Sequence, residues 1–308
     1  MAGLTRRQSL ILGAAGLGLF PAVMQAEVVS QTEAVTTQDS FPIKFTYYPA
    51  VAEKNDNDLS SASVVILLHG EKGSRINWDK GSAPAGKPVF PAILQELGFA
   101  VITVDLRKHG QSVAAGQAEP VNNEDYFKMG MDLQAVKDFV QKLHQEKKLN
   151  MSKMAIVGTG FSAPVAAAFA EVDWKQTPYD DSPIPAMRTP RGQDVKALVL
   201  ISPDTNAGRL ATNRSLTFLN KQNLSFLFMA GKQDVADKGA AKNCFKACGS
   251  DKKGDGRVVL VEPDLKDRGI DLFGKRPNEV EVPILKFLDE RLKKIMVPWV
   301  DRRSRVDR

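Results

Sequence analysis

Two cysteines and three histidines are all that this chain of 308 residues contains, and that scarcity removes several chemistries at once. Cys244 and Cys248 alone offer too few ligands for a metal centre. One helical turn would separate them, a spacing at the margin of what a disulfide tolerates, so they read first as small packing residues, with a disulfide left open by an exported location. Neither a metal nor a cofactor is expected. Aromatic residues make up 7% of the chain, and no basic stripe is laced with them. The formal charge of +6 therefore gives no reason to expect a nucleic-acid partner. Long apolar runs are missing too. The longest near the start, Ile11–Phe20, falls short of the roughly 20 residues that a membrane span requires. No stable span is expected once a leader is removed. Internal repeats and low-complexity tracts are also absent.

What is present describes an ordinary globular chain with a targeting segment. Hydrophobic residues amount to 43%, enough for one sizeable core. Thr5-Arg6-Arg7-Gln8-Ser9-Leu10, then the short apolar run, then small residues up to Ala26, resemble a twin-arginine (Tat) export signal. A Sec-type signal is the alternative. Residues 1–26 are accordingly read as a leader, 27–300 as one domain and 301–308 as an Arg-rich, solvated tail. The protein is expected outside the cytoplasm, in a periplasmic or extracellular location.

Along the chain, strands and helices alternate. Glu27–Asp39 suits an edge strand and Phe41–Tyr48 a second strand. Val64–Leu68, Ala100–Val104, Met154–Val157, Val195–Ile201, Leu224–Ala230 and Arg257–Val261 are apolar runs, as expected of strands buried on both faces. Helices are predicted over Phe90–Leu97, Glu124–Lys148, the alanine-rich stretch after Gly160, Val235–Cys248 and Asn278–Met296. On the longest, Phe127, Met131, Val136, Phe139, Val140 and Leu143 form the apolar stripe. A Pro- and Asp-rich insertion, Asp173–Asp194, is a candidate surface for a protein partner. This alternation predicts an α/β fold with a doubly wound, mostly parallel sheet.

Five short motifs then occur in a telling order. They are VVILLHG at Val64–Gly70, the following Gly73 and Trp78, DLRKHGQS at Asp105–Ser112, the strand–turn–helix Met154–Ala170, and LFMAGKQD at Leu227–Asp234. Together they resemble an α/β-hydrolase of the esterase or dienelactone-hydrolase type over roughly residues 40–296. The resemblance implies a serine nucleophile at a sharp elbow, G-x-S-x-G, followed in chain order by an acid and a histidine base. It places the acid at Asp234, the nucleophile at position 160 and the base at position 268. It also places an oxyanion loop at His69-Gly70, with Gly70, Thr159, Phe161 and Arg268 around the ligand.

Two of the three catalytic positions hold the wrong residue. Position 160 is glycine, which keeps the turn and has nothing to react. Position 268 is arginine, whose guanidinium stays protonated and accepts no proton. The histidine count tests this without alignment, because His69, His109 and His144 all precede Asp234. The expectation is a fold that has stopped hydrolysing by the serine mechanism and binds a small anionic ligand or a protein partner. The alternative is an active carboxylic-ester hydrolase with Ser162 as nucleophile and His69 as base. Ser162 lies two residues beyond the elbow, where a hydroxyl more naturally caps backbone N–H groups. If the missing triad is the only defect, Gly160→Ser combined with Arg268→His generates measurable hydrolysis of a small activated ester. An inactive but folded double variant indicates that the pocket has diverged as well.

Overall fold

The computed structural model describes residues 29–52, 58–114, 119–252 and 254–307. The leader at 1–26 lies outside the described residues. The strands are β1 (Gln31–Thr36), β2 (Pro42–Tyr48), β3 (Val64–Leu68), β4 (Ala100–Val104), β5 (Met154–Thr159), β6 (Val195–Ile201), β7 (Asn206–Ala207), β8 (Leu210–Ala211), β9 (Ser225–Met229) and β10 (Val258–Val261). Eight of them form one sheet in the order β1-β2-β4-β3-β5-β6-β9-β10, and β7 and β8 make a small separate ribbon. From β4 to β10 neighbouring strands run parallel, whereas β1–β2 and β2–β4 are antiparallel. Val-Val-Ile-Leu-Leu in β3 and Ala-Val-Ile-Thr-Val in β4 are buried at every position. Apolar residues without alternation are what a strand covered on both faces requires.

Helices supply the two covers. On one face, α3 (Asn123–Gln145), α4 (Ser162–Lys175), α5 (Thr212–Lys221) and α6 (Ala240–Ala247) pack their apolar residues against Ile66, Ile102 and Leu198. Opposite them, α1 (Arg75–Asp79), α2 (Phe90–Glu96) and α7 (Glu281–Leu288) enclose Trp78, Phe90 and Phe287 against Val65, Val101 and Val199. The cysteines stay free and buried in the first layer.

Several sequence expectations need correction. The buried stripe of α3 runs through Met129, Leu133, Val136, Val140 and Leu143, and Phe127 is 68% exposed. Asp132 and Lys137 are buried among these residues, so charge obscured the stripe. Helix α5 lies where the sequence pattern predicts no element. Helix α6 begins at Ala240, five residues later than expected, and α7 stops at Leu288 before a short π-helical turn to Lys293. Asp173 belongs to α4, so the insertion starts after Lys175.

The Arg-rich tail is not simply solvated. Arg302 is only 6% exposed and donates to Asp194 at 2.6 Å and to the Gly192 carbonyl at 2.8 Å. Its neighbour Trp299 stacks on His144 and donates to the His144 carbonyl at 2.9 Å. Beside them, Lys137 Nζ bridges Asp173 and Asp194, joining α3 to α4 and to the start of β6. Two cations thus neutralise two buried carboxylates beneath the sheet. Removing one member leaves buried charge without compensation, at a cost of about 3–5 kcal/mol. Lys137→Met is therefore expected to lower the unfolding free energy by about that amount in urea titrations, whereas Lys128→Met, at an exposed pair on the same helix, changes it by less than about 1 kcal/mol.

Candidate functional site

The elbow forms where β5 meets α4, above the carboxyl ends of the parallel strands. Gly158 is required by close packing: a Cβ there would lie 2.9 Å from both Ala163 Cα and the Ser162 carbonyl oxygen. Gly160 occupies the left-handed region with φ +55° and tops the turn. There is space above it, since an added Cβ would meet only Asp204 Oδ2 at 3.9 Å and Gly70 Cα at 4.0 Å. The elbow is tied to the end of β6. Gly160 N–H donates to Ile201 O at 3.1 Å, and Asp204 N–H donates to Gly160 O at 3.1 Å.

Arg268 lies beside that turn, between two carboxylates. Nη1 donates to Asp234 Oδ2 at 3.1 Å, and Nη2 donates to Asp204 Oδ1 at 2.7 Å and to the Ser202 carbonyl at 3.2 Å. The next residue, Gly269, donates its N–H to Ser202 Oγ at 3.0 Å. Ser202 itself has φ +44° and is fully buried, so its strained backbone is held by partners on every side. The structure therefore brings Gly160, Asp234 and Arg268 together from three separate loops and adds Asp204. Burial raises the pKa of Asp204, Arg268 pulls against it, and Glu71 adds to the rise.

A pocket of about 320 Å³ opens here, between Gly70–Gly73, the elbow and the Arg268–Asp271 loop. Gly70, Thr159 and Arg268 line it. Phe161 does not. Its side chain, 4% exposed, stacks on His109 with ring centroids 5.3 Å apart and touches Tyr126 and His69. A larger groove lies elsewhere, an apolar trough of about 570 Å³ where Phe127, Met131, Val165 and Val172 approach the end of β1. It contains none of these residues.

The alternative pair is engaged elsewhere. Ser162 is fully buried, and its hydroxyl accepts the Thr159 N–H at 2.8 Å and donates to the Thr159 carbonyl at 2.9 Å. The hydroxyl therefore ties the helix start back to the last residue of β5 and caps no N–H group of α4, contrary to expectation. His69 is equally buried. Its Nδ1 donates to Gly70 O at 2.9 Å while its Nε2 accepts the Leu106 N–H at 3.2 Å. Both ring nitrogens thus bind backbone, fixing the loop. In the neighbouring loop Asp105 holds Arg75 at 2.5 Å, and Arg107 holds Asp132 and Asp39. Among the described residues no group of three or more His, Cys, Asp or Glu is placed to hold a metal ion, and no helix is long and apolar enough to cross a membrane.

Burial, with His109 close by, pushes the His69 pKa down from 6.5 to about 4. A base with a depressed pKa contributes stability that is complete above the unfolded value of 6.5 and is lost as pH falls toward about 4. His69→Gln is expected to flatten the slope of unfolding free energy against pH across that window. An unchanged slope contradicts the assignment.

No family model and no curated protein sequence matches this chain. Solved structures do. The Pyrococcus furiosus esterase Pf2001 superimposes with a TM-score of 0.56 at 16% identity, covering 86% of this chain and 92% of the esterase. A protein of unknown function from Agrobacterium tumefaciens, provisionally classed as an α/β hydrolase, gives 0.55 at 16% identity over 87% of this chain and all but 1% of its own, with 99% covered. An acylaminoacyl peptidase of Pyrococcus horikoshii gives 0.57 at 12% identity over 89% of this chain and 43% of that one. Identities this low speak to the fold and leave the activity open. With the strand order, the elbow and these superpositions agreeing, the chain has the α/β-hydrolase fold.

Proposed function

We propose that this protein does not hydrolyse esters by the serine mechanism and uses its hydrolase-type pocket to bind a small polar molecule or a segment of a partner protein. The observation that carries this reading is Arg268 in a double ion pair with Asp234 and Asp204, beside an elbow whose apex is Gly160. Hydrolysis needs a group that can accept a proton from a nucleophile and return it to the leaving group. Arginine does neither. Position 160 has no side chain to be deprotonated, and Ser162 spends its hydroxyl on the Thr159 backbone.

The anion-binding version of this idea loses support. It requires Arg268 to face the cleft with its charge available. Both Nη atoms are instead committed to carboxylates and to a backbone carbonyl. The pocket rim carries Asp204, Glu71 and Asp271 against Arg268 and Lys72, three acids to two bases, which favours a neutral hydrogen-bonding ligand over an anion. The twin-arginine-like leader supports export, which belongs to the same proposal.

Labelling by a fluorophosphonate tests the reading directly. The purified protein is expected to take up no probe, and Ser162→Ala is expected to behave identically. A stoichiometric adduct on Ser162 that disappears in His69→Ala would establish the esterase alternative.

A further inference from the structure

We propose that Asp204 sets the selectivity of the elbow pocket by keeping carboxylate-bearing molecules out of the space above Gly160. This rests on that pocket being the ligand site. Asp204 reaches the site because the register of β5 against β6, with Thr159 opposite Ile201, carries the end of β6 past the turn. Two backbone bonds fix it: its N–H on Gly160 O at 3.1 Å, and its own carbonyl accepting the Thr212 hydroxyl at 2.7 Å. Its carboxylate then divides its oxygens. Oδ1 holds Arg268 at 2.7 Å, while Oδ2 stands 3.9 Å from where a side chain at 160 would begin.

That second oxygen changes what the pocket can accept. Helix α4, 14 residues long, points its amino end at the elbow, and such an end favours negative charge. Arg268 and Lys72 add cations at the rim of the same space, against the rim carboxylates of Glu71 and Asp271. Without Asp204 the helix end and two cations would face two carboxylates, a balance that admits an anion above Gly160. With it, a negative oxygen belonging to the protein already lies there, and a second carboxylate brought alongside would be repelled by it. Asp234 is not equivalent, because its Oδ2 binds Nη1 and its Oδ1 accepts the Ala236 N–H at 2.9 Å. The ligands left to the pocket are those that present donors to Asp204, such as hydroxyl or amide groups.

Acetate is the probe. It is titrated at neutral pH into isotope-labelled protein while the backbone amides of Gly160, Phe161 and Gly269 are followed by NMR. Wild type is expected to show no saturable shift at these amides. Asp204→Asn keeps the backbone bonds and removes the charge, and is expected to bind acetate about tenfold more tightly or better. Asp204→Ala provides a second variant with the same expected gain, and adding Arg268→Ala to either is expected to abolish it. Acetate binding by wild type as tight as by the variants overturns the proposal, as does a folded variant with no gain. Fluorophosphonate labelling of wild type would overturn the non-hydrolytic reading and leave this result untouched. Wild-type acetate binding would overturn this inference without supplying a nucleophile.

Discussion

One guanidinium organises the carboxyl end of the sheet. Arg268 draws Asp234 from the loop after β9 and Asp204 from the end of β6 to a common centre, and it takes the Ser202 carbonyl as well. Each anion lies near a chain segment that must approach the elbow, so the cation offsets repulsion that would otherwise push these loops apart. Its side chain is 33% exposed, and solvent therefore screens part of the attraction. The contribution is accordingly one of position more than of stability. A histidine at 268 would turn toward Asp234 and present its other nitrogen to the elbow, as a triad requires. Arginine pairs with the acid and offers no second nitrogen that can accept a proton.

The elbow itself is held by demands that do not depend on chemistry. Gly158 is fixed by the approach of Ala163, a packing demand that holds whether or not the site reacts. Gly160 keeps the left-handed turn without the strain a nucleophilic side chain would carry there, a cost of order 1–3 kcal/mol. His69 keeps its place by binding Gly70 O and Leu106 N–H, a duty independent of chemistry.

Much of this was legible in the chain because it is local. β3, β4 and β6 coincide with their apolar runs residue for residue, since strands covered on both faces announce themselves by composition. The elbow frame, the Asp234 strand end and the absence of a late histidine were equally local signals. Asp204 was not legible. Nothing around Ser-Pro-Asp marks a site, and its importance arises only when parallel pairing sets Ile201 beside Thr159, 42 positions away in the chain. Arg302 was misjudged for a related reason. An arginine-rich end reads as solvated unless it is known that Asp194 and the Gly192 carbonyl await it underneath the sheet. The α3 stripe failed where buried Asp132 and Lys137 interrupted the apolar pattern, each held by a partner from a distant segment.

On the proposed reading, no residue at this elbow forms an acyl intermediate. Rapid mixing of the protein with p-nitrophenyl acetate tests this, because an acyl intermediate that breaks down more slowly than it forms releases one equivalent of nitrophenol before steady turnover begins. No burst is expected, and a release rate unaltered by Ser162→Ala. A burst stoichiometric with protein, abolished by Ser162→Ala, would contradict it.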